Sequence, residues 1–166
     1  MKSIPLLDVA KVTSPNPVTL ICSRNDAGVT NLAAVSWWTY LSIEPATIGF
    51  AMMKPSYTGE TVRANKNVVL TIPGEALAKQ VMQCGCSTGR TKSKARDFGI
   101  ELKSLPDCDI QIPVHSAAAI QCRLREFVDV GDHYFYICDV ENVYADDQER
   151  PLFAWNGYSK IAPLQK

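Results

Sequence analysis

The feature that most constrains this chain is a pair of long alternating segments near its C-terminal end. In "AAIQCRLREFVDV", Ala118, Ile120, Cys122, Leu124 and Val128 alternate with Gln121, Arg123 and Arg125. Successive side chains of a strand point to opposite faces, so a period of two marks a half-buried strand. "DVGD" turns the chain, and "HYFYICDVENVYA" returns with Tyr134, Tyr136, Cys138, Val140 and Tyr144 expected on one face. Two strands of this length joined by a tight turn form the kind of hairpin that builds a barrel wall. Its two edges then need further strands.

The rest of the chain supplies them. "VTLICS" (Val18–Ser23) runs into the turn chemistry of Asp26–Gly28, and "VTNLAAVSWW" follows as the second strand of a hairpin. "PATIGFAMM" reads as a third strand that starts after Pro45, and "NVVLTIP" as a fourth that Pro73 closes. "EALAKQVMQCG" spaces Leu77 and Val81 four apart and ends at Gly85, the pattern of a short amphipathic helix. "STGRTKSKARDFG" is a polar, basic loop leading into a second short helix that Gly99 ends. The fold class expected is mainly β, a small antiparallel barrel with short helices inserted between strands. One domain over 1–166 is expected, long enough to bury roughly 70% of its unfolded surface.

Charge and composition exclude several function classes. Seventeen basic residues balance seventeen acidic ones, so no global field draws the chain to nucleic acid or to an acidic membrane. "MKSIPLLDVAK" lacks the apolar run of a signal peptide, and the longest uncharged segment is broken by Gly, Asn, Thr and Ser. A cytoplasmic protein is expected, and its six cysteines are expected to be reduced and to pack as small hydrophobes. Cys84 and Cys86 form a C-x-C that is tighter than a zinc knuckle, with no second knuckle after it, so no metal site is assigned.

Catalytic motifs are missing from the sequence. It contains no G-x-G-x-x-G, G-x-x-x-x-G-K-[ST], G-x-S-x-G or H-E-x-x-H, and only two histidines, His115 and His133. A histidine-rich metal site or a conventional triad is therefore not expected. The paired carboxylates Asp107/Asp109 and Asp146/Asp147 sit in turn-like contexts that would leave them solvated.

Three segments remain that suit a ligand with a flat ring and a phosphate. "MKPSYTGETVRAN" places Lys54, Ser56, Tyr57 and Thr58 where a helix begins, and a helix start offers unpaired N–H groups to an anion. Ser56 or Thr58 could equally be a simple helix cap. "TNLAAVSWW" has small residues that would let a planar ligand approach the backbone, with Trp37 as a wall or as an ordinary core aromatic. "CSTGRTKSK" gathers Cys86, Ser87, Thr88, Gly89 and the cations Arg90, Lys92 and Lys94, either as a ligand loop or as a solvated one. Thr58 and Lys94 both read as surface positions.

The order and spacing of these pieces resemble the flavin reductase-like, FMN-binding split-barrel family, and within it the flavoredoxin-type branch. The matching segments run over nearly the whole chain, from "NPVTLICSRNDAGVTNLAAVSWWTYLSIEP" through "KPSYTGETVRANKNVVLTIP" and "STGRTKSKARDFGIEL" to "GDHYFYICDVENVYAD". The resemblance implies FMN as cofactor, held by its phosphate at Ser56, Tyr57 and Thr58. It also implies that Ala33, Ala34, Val35, Ser36 and Trp37 lie along the isoalloxazine. The loop Cys86, Ser87, Thr88 and Gly89 up to Lys94 would close over the phosphate or ribityl end. Met53 stands where relatives often carry arginine, and Thr61 where they often carry asparagine. His133, at the hairpin turn, is implied to face the donor or acceptor, although a turn-adjacent structural histidine is the alternative. The implied function is oxidoreductase, either NAD(P)H-linked reduction of flavin or an acceptor, or flavoredoxin-like electron transfer. An electron carrier or flavin-storage protein without nicotinamide oxidation is the other possibility, and a homodimer is implied in either case.

Overall fold

A computed structural model describes residues 1–164. In chain order the elements are α1 (Leu6–Val12), β1 (Asn16–Pro17), β2 (Thr19–Arg24), β3 (Thr30–Val35), β4 (Trp38–Ile43), β5 (Ala46–Met53), α2 (Tyr57–Asn65) and β6 (Asn67–Pro73). A 3-10 turn at Glu75–Leu77 leads into α3 (Ala78–Gly85), followed by α4 (Lys94–Asp97), β7 (Leu102–Lys103) and β8 (Ile112–Pro113). The long hairpin is β9 (Ser116–Val130) and β10 (His133–Ala145), and β11 (Leu152–Trp155) and β12 (Lys160–Pro163) end the fold.

Seven strands form one antiparallel sheet in the order β3-β2-β6-β9-β10-β5-β4. Its two edge strands are neighbours in sequence, joined only by Ser36 and Trp37. Residues so few apart cannot be far apart in space, so the sheet has to curl until its edges approach. Ala51 N–H donates to Trp37 C=O at 2.8 Å, tying the corner to β5. No ladder joins β3 to β4, which leaves the barrel split at this seam.

Curling gives the sheet an inside and an outside, and both are covered. Ile21, Phe50, Val68, Leu70, Ile120 and Tyr136 fill the inside. Leu20, Cys22, Val69 and Ala119 on the same strands point outward against the 3-10 turn, α3, the β7–β8 connection and β11 through Leu77, Val81, Ile110 and Leu152. Strands buried on both faces read as continuous apolar runs, as "VTLICS" and "VVLTIP" do.

Two bulges change the side-chain pattern expected of the hairpin. Cys138 pairs with Leu124 but Ile137 pairs with Glu126, so Arg125 is an extra residue. An inserted residue shifts the alternation by one. Val128, expected on the face of Ile120 and Leu124, therefore pairs with Phe135 on the other face, while Phe127 takes the face of Tyr136; both stay exposed at this end of the hairpin. Glu141 is a second extra residue, between the Val140–Cys122 and Asn142–Gln121 pairs. It moves Tyr144 away from the face of Tyr136 and Cys138 and onto the outer core. Among the described residues no helix is long and apolar enough to cross a membrane.

Candidate functional site

The strand-to-helix turn that follows β5 is built by a cap. Ser56 Oγ accepts from Gly59 N–H at 3.2 Å, so this serine satisfies one of the free donors of α2. Gly59 itself packs so tightly that a Cβ there would collide with Tyr136 Oη, which lets α2 lie against β10. In the first turn of the helix, Thr58 is only 3% exposed and its side chain faces β3.

The loop between α3 and α4 comes down over this helix start. Gly89 sits so close that a Cβ would strike Asn31 Oδ1 and the Tyr57 ring, so only glycine allows the approach. Lys94, the first residue of α4, is also 3% exposed and donates from Nζ to Cys84 C=O at 2.9 Å. Burial pushes its ammonium below the ordinary lysine value, the nearby Cys84 acting in the opposite direction. Thr58 and Lys94 are therefore interior positions, not the surface ones expected. The burial arises because α2 and the 87–93 loop cover each other.

These pieces surround a cavity of about 400 Å³. Ala33, Ala34, Val35, Ser36 and Trp37 form one wall, and Met53, Ser56, Tyr57, Thr58, Ser87, Thr88, Gly89 and Lys94 line the rest with His133. The volume lies within the usual range for a small-molecule site. Among the described residues no carboxylate lines it, and Lys94 is its one lysine or arginine. At the mouth, Trp37 stacks on His133 with ring centroids 4.9 Å apart, and its indole Nε1 donates to Tyr158 Oη at 3.1 Å. His133 Nδ1 lies 2.6 Å from Asp132 Oδ1, which leaves Nε2 as the ring nitrogen free for another partner. His133 pairs with Met53 across the sheet and is largely covered, unlike a free turn residue.

Three of the expected residues do not line this cavity. Lys54 turns away to pair with Asp129 at 2.8 Å on the hairpin tip. Thr61 is buried in the α2–β2 contact, with Oγ1 2.7 Å from Ser23 Oγ and donating to Thr58 C=O at 2.9 Å. Its hydroxyl is thus taken up by Ser23 and the helix backbone, whereas the Thr58 hydroxyl reaches the cavity. Cys86 is exposed and lines a second, smaller cavity of about 280 Å³ beyond Trp37.

Residues that the sequence left unmarked also take part. Ala51 and Met52 line the cavity, and Asn31 contacts Thr58 from behind. All six cysteines are free. Burial pushes the thiols of Cys84 to about 11 and Cys138 to about 12, and also raises Cys22, Cys108 and Cys122, so none of these is poised as a thiolate. His115 is half exposed and bonded to Glu149 at 2.8 Å. Among the described residues no cluster of His, Cys, Asp and Glu gathers for a metal.

The family model for the flavin reductase like domain matches residues 12–162, and the chain belongs to that family. An uncharacterised protein of Pyrococcus abyssi is 28% identical over 109 residues, covering 64% of this chain and 61% of the relative. The chain spans less than two thirds of the length of the curated relatives that it matches. Flavoredoxin from Methanosarcina acetivorans superposes with a TM-score of 0.83 at 19% identity, over 100% of this chain and 93% of that one. An FMN-binding protein from Thermus thermophilus with bound 1-cyclohex-2-enone gives 0.83 at 18%, over 100% and 96%. The fold is thus the split barrel of this family, as the sequence pattern implied.

Proposed function

We propose that the chain is one flavin reductase-like domain that binds FMN in the 400 Å³ cavity and acts as an oxidoreductase. The observation that carries this is Lys94: a desolvated cation with, among the described residues, one protein acceptor and no carboxylate in the cavity whose closed end it occupies. A buried charge is costly unless a partner meets it, so the site calls for an anion. The free hydroxyl proton of Thr58, the seryl and threonyl groups of Ser87 and Thr88, and the backbone at Gly89 suit a phosphate, and the small wall Ala33–Ser36 suits a flat ring.

FMN, when bound, supplies hydride or single-electron chemistry through its ring. The chain's own contribution is to grip the phosphate, wall the ring with Trp37, and present His133 at the mouth. Asp132 accepts from His133 Nδ1–H and so keeps the Nε2 lone pair turned toward an incoming donor or acceptor. Electrons would come from NAD(P)H or from a redox protein. A carrier that does not oxidise nicotinamide has the same site, and steady-state NAD(P)H consumption separates the two.

A homodimer belongs to this reading. Tyr40, Leu41 and Ile43 on β4, Met53 at the end of β5, and Val128 and Val130 on β9 are exposed large apolar side chains. Met53, His133 and Val130 are direct cross-strand neighbours, so this surface borders the cavity mouth. A partner covering it would also shield a bound ring from water. The free thiols fit a cytoplasmic setting.

Titration with FMN and riboflavin, followed by flavin fluorescence and absorbance, tests the assignment. FMN should bind at least about tenfold more tightly, since charge-assisted hydrogen bonds to a phosphate contribute about 1.5–3 kcal/mol each. Equal affinities would remove the phosphate role. Sedimentation that shows a flavin-loaded monomer at micromolar concentration would remove the dimer.

A further inference from the structure

Asn31 lies on β3, beneath the 87–93 loop and behind the start of α2. It is 5% exposed, and Nδ2 donates to Thr58 Oγ1 at 2.6 Å. Its Oδ1 is buried without a partner among the described residues. A buried acceptor left unpaired works against stability, so packing alone would favour an apolar side chain at this position.

The hydroxyl of Thr58 explains what the amide does. A threonine hydroxyl has one proton to donate and lone pairs to accept with. Since Thr58 Oγ1 accepts from Asn31, its own proton is not used on that contact. Among the described residues no protein acceptor takes that proton, and Thr58 lines the cavity. Were the amide reversed, Oδ1 would take the Thr58 proton and the hydroxyl would turn lone pairs toward the cavity. An anion there would be repelled.

We propose that Asn31 is a positioning residue that holds Thr58 as a hydrogen-bond donor toward a phosphate in the cavity, and so sets the preference for a phosphorylated flavin. The inference rests on the phosphate reading given above. Gly89 belongs to the same device, because it lets the loop lie directly on the Asn31 amide and keep water from it.

Dissociation constants of the full-length chain for FMN and riboflavin test this in four variants. Asn31→Leu keeps the shape and removes the amide. Asn31→Asp can only accept, which reverses the Thr58 hydroxyl and adds a negative charge. Asn31→Asp should weaken FMN by about a hundredfold and Asn31→Leu by about tenfold, with riboflavin changed less than about threefold in each. Against Thr58→Val, adding Asn31→Leu should cost nothing further, because residues that act through one hydroxyl do not add. If the ratio of FMN to riboflavin affinity in the Asn31 variants matches the parent, or if the Asn31→Leu and Thr58→Val losses add, the inference is overturned. Should Asn31→Asp fail to fold, the Leu variant and its double mutant decide. A parent with no preference for FMN overturns the phosphate reading and this inference together. A parent that prefers FMN while both Asn31 variants prefer it equally overturns this inference alone.

Discussion

Thr58 and Lys94, at the closed end of the cavity, are each 3% exposed, whereas Trp37 and Met53, at its mouth, are 41% and 55% exposed. The closed end is made by three elements that cover one another: β3 through Asn31, the first turn of α2, and the loop before α4. The mouth is made by the β3–β4 corner and the end of the long hairpin, where the Trp37 ring is placed by its stack on His133 and its indole hydrogen bond to Tyr158. The two lysines show the same contrast. Lys94 is desolvated and meets a carbonyl, while Lys54 is solvated and already has its carboxylate, Asp129. A cation without a counter-ion is available to a ligand, and one already paired is not. On the proposed reading, the closed end recognises charge, and the mouth admits and releases.

The contrast would break most clearly at Lys94. Lys94→Met should weaken FMN by about ten- to a hundredfold and leave riboflavin nearly unchanged, as measured by fluorescence titration. The same variant carries a pH signature. Burial holds the folded Lys94 below the ordinary value of 10.5, so in the window below 10.5 the unfolded chain binds more protons and this group's contribution to stability rises with pH. The buried thiols act the other way, since their raised values favour the folded state at low pH and that gain fades as pH rises. The difference in urea midpoint between parent and Lys94→Met isolates the lysine: the parent should gain on the variant as pH climbs toward 10.5.

Thr58→Val should cost about tenfold in FMN affinity, again with little change for riboflavin. Equal losses for both flavins would move Thr58 from the phosphate to the packing of the site. At the other end, Trp37→Ala should weaken FMN and riboflavin alike, by about three- to tenfold, and shift the bound-flavin absorbance, because a ring contact does not sense the phosphate. A loss confined to FMN would erase the distinction between the two ends. The smallest expected effect on affinity is at His133. His133→Gln should leave the FMN dissociation constant within about twofold while slowing flavin reduction or reoxidation in stopped-flow traces. Unchanged rates with NADH, NADPH and the acceptor would reduce His133 to a stacking partner of Trp37.

Much of the fold was legible in the sequence, for identifiable reasons. β2, β5, β6 and both arms of the hairpin announced themselves, because alternation and the punctuation of Gly28, Pro45 and Pro73 are local signals. β4 is missing from the sequence reading, in which the run "VTNLAAVSWW" ends at its first residue, since nothing in "AVSWWTYLSI" marks the corner at Ser36–Trp37. The bulges at Arg125 and Glu141 left no signal either, and each flipped the expected face of the strand residues beyond it. At the site, the hydroxyl and glycine positions were visible as composition. The depth of Thr58 and Lys94 was not, because it depends on a loop some thirty residues away along the chain folding over a helix start. Asn31 was hidden for the opposite reason. A single polar residue inside a strand pattern looks like an outward-facing position, and only the three-dimensional contact with Thr58 shows that it faces in.

The two edges of the main sheet meet different fates. β3 is covered by α3 and α4, whereas β4 carries Tyr40, Leu41 and Ile43 exposed, Ile43 at 93%. An uncovered edge strand presents unpaired N–H and C=O groups to any other chain, and apolar side chains make it adhesive. On the proposed dimer reading, a subunit without its partner would thus be exposed to runaway self-association as well as to a loss of shielding at the cavity mouth. Colloidal behaviour becomes a property of the β4 edge, where a single lysine or proline could act as a gatekeeper.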